Sequence, residues 1–189
     1  MNIAVFLDRD GTVNEEMGYI NHPSRFHLLP GSIEAIARLN RAGIKAVLVT
    51  NQSGVARGYF PASLMDQIHH HLQQLLGQGG AHLDGIYVCS HGPDEGCPCR
   101  KPRPGLLHQA ARDLGIDLSR SFVVGDRYID IELAANAGAR GILVLTGYGR
   151  GELEYYQGAK RAEPVYIASD LPDAVGFILK EVNKIDKSR

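Results

Sequence analysis

The strongest constraint on the fold is a short apolar run, residues 3–7, that ends directly in two aspartates, Asp8 and Asp10. A run of this length followed by Gly11 predicts a buried strand that leads into a turn. Side chains of an extended chain alternate between two sides, so we expect Asp8 and Asp10 to face the same volume. Two neighbouring carboxylates repel each other, which favours a cation or a shared proton between them. A polar surface turn is the alternative that this stretch leaves open.

Strand patterns alternate with helix patterns along the chain, which predicts an α/β fold with a doubly wound, mostly parallel, Rossmann-like sheet. We expect strands at 2–7, 44–49, 85–89, 121–124, 141–145 and 165–168, and helices at 32–41, 62–76, 106–114, 129–137 and 171–182. The carboxyl ends of parallel strands share one edge of the sheet, where such folds bind ligands. If the first strand is central, three polar strand ends meet there, at Asp8 with Asp10, at Thr50 with Asn51, and at Asp126.

Composition excludes several other classes of protein. The chain has 189 residues, a net charge of −1 and 22% charged residues, which is typical of an ordinary globular protein. This balance gives no indication of a nucleic-acid or membrane partner, and no apolar run reaches the length of a membrane span. We expect a single domain over residues 1–189, acting as a cytoplasmic monomer on a small molecule.

The three polar strand ends predict phosphoryl-transfer chemistry. Asp8, Asp10 and Asp126 would form an oxygen-rich anionic pocket, and this suits Mg²⁺ together with phosphate oxygens and water. Arg100 and Lys101 would supply the opposite charge. A phosphate held there could be attacked by the carboxylate of Asp8, while Asp10 acts first as an acid and then as a base.

All three cysteines lie within residues 89–99, with a histidine among them. An odd number of cysteines in so short a segment does not suggest a disulfide framework. Three thiolates and one imidazole are typical of a closed, structural Zn²⁺ site, and the candidate ligands are Cys89, His91, Cys97 and Cys99. Because the two cations of the pocket follow the last ligand directly, we expect zinc to fix their position. Reduced thiols without a metal are the alternative.

The chain carries four ordered motifs that resemble those of the haloacid dehalogenase-type phosphatases: Asp8-Arg9-Asp10-Gly11-Thr12, Thr50-Asn51, Lys101 and Gly125-Asp126. The resemblance implies that Asp8 is the nucleophile and a magnesium ligand. It implies that Asp10 is the acid and base and binds the metal through its backbone carbonyl, and that Asp126 completes the site. Thr50 and Lys101 would hold the phosphoryl group. The segments between the motifs are too short for an inserted cap domain, so we expect the capless type.

The cysteine loop and the segment 50–58 resemble one zinc-loop branch, the D-glycero-D-manno-heptose 1,7-bisphosphate 7-phosphatases. The resemblance implies hydrolysis of the 7-phosphate through an aspartyl phosphate, in the synthesis of ADP- or GDP-heptose precursors for the lipopolysaccharide core or S-layer. It also implies substrate contacts at Glu16, Met17, Gly18, Tyr19, Thr50, Asn51, Gln52, Ser53, Arg100, Lys101 and Arg127. Arg127 stands where a heptose enzyme of this branch has lysine, and because the two cations differ in geometry this position concerns sugar recognition.

Two other functions stay open at this point. Within the same superfamily, histidinol-phosphate phosphatases and other small sugar-phosphate phosphatases share the zinc loop or the motifs. A non-catalytic, zinc-stabilised binding module is the alternative from a different class, although the complete set of acids argues against it.

Several conspicuous residues are not assigned to a site. Residues 69–71 are three consecutive histidines on a predicted helix, where neighbours turn by about 100°, so we expect a solvated surface rather than a metal site. Asp130 either supports the metal site or simply begins a helix. We expect the glycine-rich segment 146–151 to be a plain turn, although Tyr148 and Arg150 could reach a substrate.

Overall fold

The computed structural model describes residues 1–187, which form a central sheet flanked by helices. The strands are β1 (Ala4–Leu7), β2 (Lys45–Asn51), β3 (Gly85–Cys89), β4 (Phe122–Gly125), β5 (Arg140–Val144) and β6 (Tyr166–Ala168). The helices are α1 (Ser32–Arg41), α2 (Ala62–Gln78), α3 (Gly105–Leu114), α4 (Tyr128–Asn136), α5 (Gly149–Tyr155) and α6 (Leu171–Lys187). Two short 3₁₀ turns lie at Pro23–Arg25 and Leu118–Arg120.

All six strands of the sheet run parallel, in the order β3-β2-β1-β4-β5-β6. Leu7, the last residue of β1, is in register with Leu48 of β2 and Val124 of β4. The first strand is therefore central, with the second and fourth strands beside it, and the doubly wound, parallel sheet is confirmed. This order brings the carboxyl ends of β1, β2 and β4 together at one edge.

Strand β1 is apolar throughout because both of its faces are covered. Val5 and Leu7 belong to one buried cluster, with Ile36 of α1 and Leu72 of α2. Ala4 and Phe6 belong to a second cluster on the opposite face, which includes side chains of α3 and α4. Burial of both faces is what a parallel sheet requires, and it explains why no polar residue alternates within this strand.

The segment after β5 differs from the expected plain turn. Residues 149–155 form helix α5, which begins where Gly149 lies so close to the carbonyl oxygen of Val144 that a side chain would collide with it. Glu152 fixes this helix to α4, because its Oε2 accepts a hydrogen bond of 2.8 Å from the backbone N–H of Tyr128. Gly149 is therefore required by close packing at the start of a helix, while residues 146–148 form the turn before it.

The connections that reach the sheet edge contain little regular structure. Residues 8–31, between β1 and α1, hold one 3₁₀ turn, and no separate cap fold is inserted between β1 and β2.

The closing helix α6 continues to Lys187, five residues beyond its expected end. None of the described helices is long and apolar enough to cross a lipid bilayer.

Candidate active site

An open cavity of about 280 Å³ lies at the carboxyl ends of the central strands. Most of the residues expected to act on a substrate line it, together with three that were not assigned there: Arg57, Ile129 and Asp130. Met17 is not among the lining residues; it borders a separate shallow depression beside Leu29 and Tyr148. The polar strand ends therefore converge as predicted. The full lining is Asp8, Asp10, Glu16, Gly18, Tyr19, Thr50, Asn51, Gln52, Ser53, Arg57, Arg100, Lys101, Asp126, Arg127, Ile129 and Asp130.

Lys101 lies at the base of the cavity, with its ammonium group between two carboxylates. Its Nζ donates hydrogen bonds to Oδ1 of Asp8 at 2.6 Å and to Oδ1 of Asp130 at 2.7 Å. The carbonyl oxygen of Val49 accepts a third, at 3.3 Å. An ammonium group has three N–H donors, so all of them are used and the position of Lys101 is fixed.

Asp126 is buried beside this group, and one of its carboxylate oxygens has no hydrogen-bond partner among residues 1–187. Its Oδ2 accepts a hydrogen bond of 2.8 Å from the backbone N–H of Tyr148, whereas Oδ1 is buried and unpaired. Carboxylate oxygens of Asp8, Asp126 and Asp130 lie within 4.8 Å of one another. Gly11, at φ +82°, lies against Asp126, where any side chain would collide with the carboxylate. A buried, unpaired oxygen among acids fits a divalent cation bound by oxygen ligands.

The pKa values of Asp8 and Asp126 are raised, because burial and neighbouring negative charge disfavour their ionised forms. Burial raises the pKa of Asp8 to about 7, with Lys101 opposing the shift and Asp130 adding to it. Burial, together with the charges of Asp8 and Asp130, raises the pKa of Asp126 to about 8. Burial alone would lower the pKa of Lys101, but the two ion pairs outweigh it and hold that pKa above its ordinary value. Positive charge bound among these acids would favour their ionised forms.

The side chain of Asp10 points to a different set of partners from that of Asp8. Its Oδ2 accepts hydrogen bonds of 2.8 Å from Nη2 of Arg9 and 2.8 Å from Nε2 of Gln52. Its Oδ1 accepts one of 2.9 Å from Nδ2 of Asn14. Asp10 is not part of the cluster of carboxylates around Asp126. These hydrogen bonds hold the carboxylate of Asp10 at the cavity wall.

The carboxyl end of β2 and the turn after it contact both Asp10 and Lys101. Nε2 of Gln52 donates to Oγ1 of Thr50 at 2.9 Å as well as to Asp10. Oδ1 of Asn51 accepts a hydrogen bond of 3.1 Å from the backbone N–H of Lys101. The Asn51 side chain, at the end of β2, thus contacts the segment that follows the cysteine loop.

The four predicted zinc ligands converge at the end of β3. Cys99 Sγ lies 3.1 Å from Cys89 Sγ and 3.3 Å from Cys97 Sγ, and His91 Nδ1 lies 3.2 Å from Cys99 Sγ. Ligand atoms about 3.7 Å apart are expected around a tetrahedral ion with Zn–S bonds near 2.3 Å. All four ligand atoms lie within 4.8 Å of one another, and the cluster is compatible with a structural zinc ion.

The remaining predicted contacts surround the mouth of the cavity. Nη1 of Arg100 donates to the carbonyl oxygen of His91 at 3.1 Å, which ties this cation to the cysteine loop. The guanidinium of Arg127 lies 5.2 Å from the ring centroid of Tyr148 and 3.6 Å from a carboxylate oxygen of Glu152. Tyr148, which the sequence left unassigned, packs against a cation that does line the cavity.

Two loops meet above the cavity through aromatic side chains. Tyr19 packs edge-on against Tyr59, with ring centroids 4.8 Å apart, and it also approaches Phe60 at 6.4 Å. Oε1 of Glu16 accepts a hydrogen bond of 2.6 Å from the backbone N–H of Gly18, which closes the turn that presents Tyr19. These contacts join the segment after β1 to the segment before α2.

The histidine run on α2 does not form the solvated surface that was expected for all three residues. His70 is exposed, but only 8% of the surface of His69 is exposed. Its Nε2 lies 3.4 Å from Nη1 of Arg9. The spacing of the helix explains the difference, because His69 shares the apolar face of α2 with Met65 and Leu72.

Comparison with known proteins agrees with this geometry. Residues 98–174 match the family described as HAD-hydrolase-like. The chain is 47% identical to a D-glycero-D-manno-heptose-1,7-bisphosphate 7-phosphatase of Thermosynechococcus vestitus, over 93% of this chain and 94% of that one. It is 45% identical to a D-glycero-beta-D-manno-heptose-1,7-bisphosphate 7-phosphatase of Bordetella bronchiseptica, over 79% and 84% of the two chains. The chain belongs to the haloacid dehalogenase-like hydrolases.

A solved structure of this haloacid dehalogenase-like family is similar over nearly the whole chain. It is the D,D-heptose 1,7-bisphosphate phosphatase from B. bronchiseptica, complexed with magnesium and phosphate. The TM-score is 0.88 at 42% identity, over 95% of this chain and 99% of that one. The predicted resemblance and fold are thereby confirmed, and the relatives are named phosphatases, as the motifs predicted for this chain.

Two of the residues that line the cavity, Asp130 and Arg57, were not assigned to the site from the sequence. Asp130 contacts both the site and the start of a helix, the two roles considered for it. Its Oδ1 pairs with Lys101, and its Oδ2 accepts a hydrogen bond of 3.3 Å from the backbone N–H of Arg127 at the start of α4. Its position one helical turn after Asp126 is the signal that could have revealed it. Arg57 lies on an exposed turn that reaches the cavity, and only the fold shows this.

Proposed function

We propose that this chain is a magnesium-dependent phosphatase that removes the 7-phosphate from D-glycero-D-manno-heptose 1,7-bisphosphate. The observation that carries the proposal is the buried group of Asp8, Lys101 and Asp126, in which an acid, a fixed ammonium and an unpaired oxygen share one cavity floor. Relatives covering most of the chain are named for this reaction, and this supports the choice of substrate.

Magnesium would be held by the carboxylates of Asp8 and Asp126 and by the backbone carbonyl of Asp10. The unpaired Oδ1 of Asp126 and the raised pKa values of both acids fit a site built for a divalent cation. When bound, the ion supplies positive charge that neutralises phosphate oxygens and keeps both carboxylates ionised. Asp130 contributes by fixing Lys101 rather than by joining the ligand set.

The reaction proceeds in two displacements at phosphorus. A carboxylate oxygen of Asp8 attacks the phosphorus of the 7-phosphate, the bond from phosphorus to the sugar oxygen breaks, and Asp10 gives its proton to that oxygen. A water molecule then attacks the phosphorus of the aspartyl phosphate while Asp10 takes a proton from it. Phosphate leaves, Asp8 regains its carboxylate, and Asp10 is protonated for the next cycle.

Charge stabilisation of the transferred phosphoryl group comes from Lys101 and from donors at the end of β2 and in the turn after it, including Thr50. The sugar and its second phosphate would lie toward the mouth of the cavity, where Arg57, Arg100 and Arg127 are the nearby cations. We assign the other substrate contacts to Glu16, Gly18, Tyr19, Asn51, Gln52 and Ser53, all of which line the cavity. Met17 lies outside the lining and is left out of this set.

Zinc bound by Cys89, His91, Cys97 and Cys99 would have a structural role, because four protein ligands leave no open position. The loop it closes leads directly into Arg100 and Lys101. We propose that residues 1–189 act as one phosphatase domain and as a monomer. None of the three cysteines forms a disulfide, which is typical of a reducing compartment and favours the cytoplasm as the location.

A phosphate-release screen tests the proposed function. The purified chain is assayed with both anomers of heptose 1,7-bisphosphate, with histidinol phosphate and with other sugar phosphates, with and without magnesium. We expect magnesium-dependent release from heptose bisphosphate, leaving heptose 1-phosphate, and a loss of at least about 1,000-fold in Asp8→Asn. The matched control is Asp113→Asn, at an exposed position of α3. A strong preference for histidinol phosphate would replace the substrate, and no release from any compound would favour a binding module.

A further inference from the structure

The least expected feature around the candidate site is a fully buried arginine. Arg9 lies between the two acids of the first motif in sequence, and none of its side chain is exposed. Its Nε and Nη2 donate to Oδ1 of Asp10 at 3.2 and 3.0 Å, and Nη2 also donates to Oδ2 at 2.8 Å. These three hydrogen bonds fix both the position and the plane of the Asp10 carboxylate.

The other end of the same guanidinium points away from the cavity, into helix α2. Nη1 of Arg9 lies 3.4 Å from Nε2 of His69 and 3.8 Å from the sulfur of Met65. A guanidinium can only donate hydrogen bonds, and a thioether is a weak acceptor. His69 therefore has to present an unprotonated Nε2, which places the imidazole proton on Nδ1. The lowered pKa of His69, about 4 because of burial and the charge of Arg9, agrees with a neutral ring.

We infer that His69 is a positioning residue, which holds Arg9 by accepting its Nη1–H and thereby holds Asp10 in line with the leaving oxygen. The inference rests on the proposed function, in which Asp10 gives a proton to the departing sugar oxygen. Asp10 has two neutral partners besides Arg9, namely Asn14 and Gln52, and only Arg9 joins its carboxylate to a rigid helix. Without the acceptor on α2, the guanidinium can rotate and Asp10 loses its fixed direction.

The leaving group of the substrate distinguishes this role from simple support of the fold. A sugar alkoxide needs a proton as it departs, whereas a nitrophenolate does not, so an aryl phosphate reports on attack by Asp8 without help from Asp10. The parameter kcat/KM covers every step up to the first irreversible one, here the phosphorylation of Asp8. It is measured with heptose bisphosphate and with p-nitrophenyl phosphate for each variant.

Three variants provide the comparison. His69→Leu removes the acceptor and keeps an apolar side chain on the buried face. His69→Gln restores a neutral acceptor at similar reach, and His70→Leu makes the same change on the exposed neighbour. We expect His69→Leu to lose about 10-fold in kcat/KM with heptose bisphosphate and less than about twofold with the aryl phosphate. His69→Gln should recover most of the loss, and His70→Leu should match the wild type with both substrates.

An equal loss with both substrates, no loss, or no recovery in His69→Gln would overturn the inference while leaving the phosphatase itself intact. A wild type that releases no phosphate would instead refute the proposed function. A second measurement does not depend on activity. Long-range ¹H–¹⁵N spectra of the wild type at pH 7, with the resonance assigned by its absence in His69→Gln, should show the Nδ1–H tautomer for His69. An Nε2–H tautomer or an imidazolium would also overturn the inference.

Discussion

Nζ of Lys101 lies 2.6 Å from Oδ1 of Asp8, although 92 residues separate the two in the chain. The contact joins the end of β1 to the segment just after the cysteine loop, and Asp130 of α4 completes it from the other side at 2.7 Å. Three separate parts of the chain therefore meet at one ammonium group.

The first prediction concerns Asp130, which pairs with Lys101 outside the proposed ligand set. Asp130→Asn keeps an oxygen that can accept a hydrogen bond from the N–H of Arg127 at the start of α4. It removes one of the two carboxylate charges that contact the ammonium group of Lys101. We expect kcat to fall about 10- to 100-fold and the free energy of unfolding to fall by about 1–3 kcal/mol. Phosphate-release kinetics and urea unfolding measure the two quantities.

The control for this variant is Asp117→Asn, because Asp117 also accepts a backbone N–H at the start of a short helix, far from Lys101. It should leave kcat unchanged within about twofold. If Asp130→Asn loses stability but keeps full kcat, Asp130 serves only the helix, and the fixed lysine is not its contribution to the reaction.

The arrangement of the sheet could be predicted from the sequence, because each apolar run is bounded by a polar turn and separated from the next by a helix pattern. Placing β1 in the centre was enough to bring Asp8, Thr50 and Asp126 together. Helix α5 could not be predicted in this way. Its start depends on a close approach between Gly149 and Val144, which belong to different elements and leave no local signal.

Cavity side chains that belong to a sequence motif were predicted, and side chains whose position depends only on packing were missed. His69 is the clearest case. Because neighbours on a helix turn by about 100°, the three histidines were not expected to share a metal, and all were assigned to the surface. The same turn places one of them with Met65 and Leu72 on the buried face. The apolar period of α2 carried this signal. The partner of His69, Arg9, lies within the first motif, and its burial could not be deduced from its charge.

A second prediction concerns the zinc loop. Cys97→Ser removes one ligand from a cluster whose loop leads into Arg100, and Nη1 of Arg100 donates to the carbonyl oxygen of His91 within that loop. We expect the melting temperature to fall by several degrees and KM for heptose bisphosphate to rise about 5- to 20-fold, because metal binding contributes free energy of folding. Thermal unfolding, zinc content and steady-state kinetics measure these effects.

Asp94→Asn is the matched control for the zinc loop, since Asp94 is exposed on the same segment and is not one of the four ligands. It should keep full zinc content, melting temperature and KM. Unchanged unfolding and kinetics in a zinc-depleted Cys97→Ser would show that the loop does not need the ion to position the cations.

A third prediction concerns Arg57, an exposed cation at the cavity that has no ion pair within residues 1–187. If the second phosphate of the substrate lies at the mouth of the cavity, Arg57→Ala removes a charge-assisted contact to it. We expect KM for heptose bisphosphate to rise about 5- to 10-fold, with kcat nearly unchanged, because this contact is the same in the ground and transition states.

A sugar monophosphate lacks the second phosphate, so its KM should change by less than about twofold in Arg57→Ala. Arg112→Ala is the control, since Arg112 is an exposed arginine on α3 and does not line the cavity. A rise of equal size for the bisphosphate and the monophosphate would mean that Arg57 acts on the transferred phosphate or on the field of the whole site, and not on the second phosphate.

The last prediction concerns the pH dependence of stability, which His69 should make steeper below neutrality. Burial first, and then the charge of Arg9, lower the pKa of His69 from 6.5 to about 4, while the carboxylates of Asp66 and Asp10 oppose the shift. Between these two pH values the unfolded chain binds a proton at His69 that the folded chain does not bind. Stability from this residue is therefore complete above pH 6.5 and is lost as the pH falls toward 4.

The size of the effect follows from the width of that window. At pH 5 the loss due to His69 is about 2 kcal/mol, at about 1.4 kcal/mol per pH unit. Glutamine does not titrate, so His69→Gln should lose that much less free energy of unfolding than the wild type between pH 7 and pH 5. Other groups, including Asp8 and Asp126, titrate in both proteins and cancel in the difference. Urea unfolding at the two pH values measures it, and equal losses in the two proteins would mean that His69 is charged in the folded chain, beside Arg9.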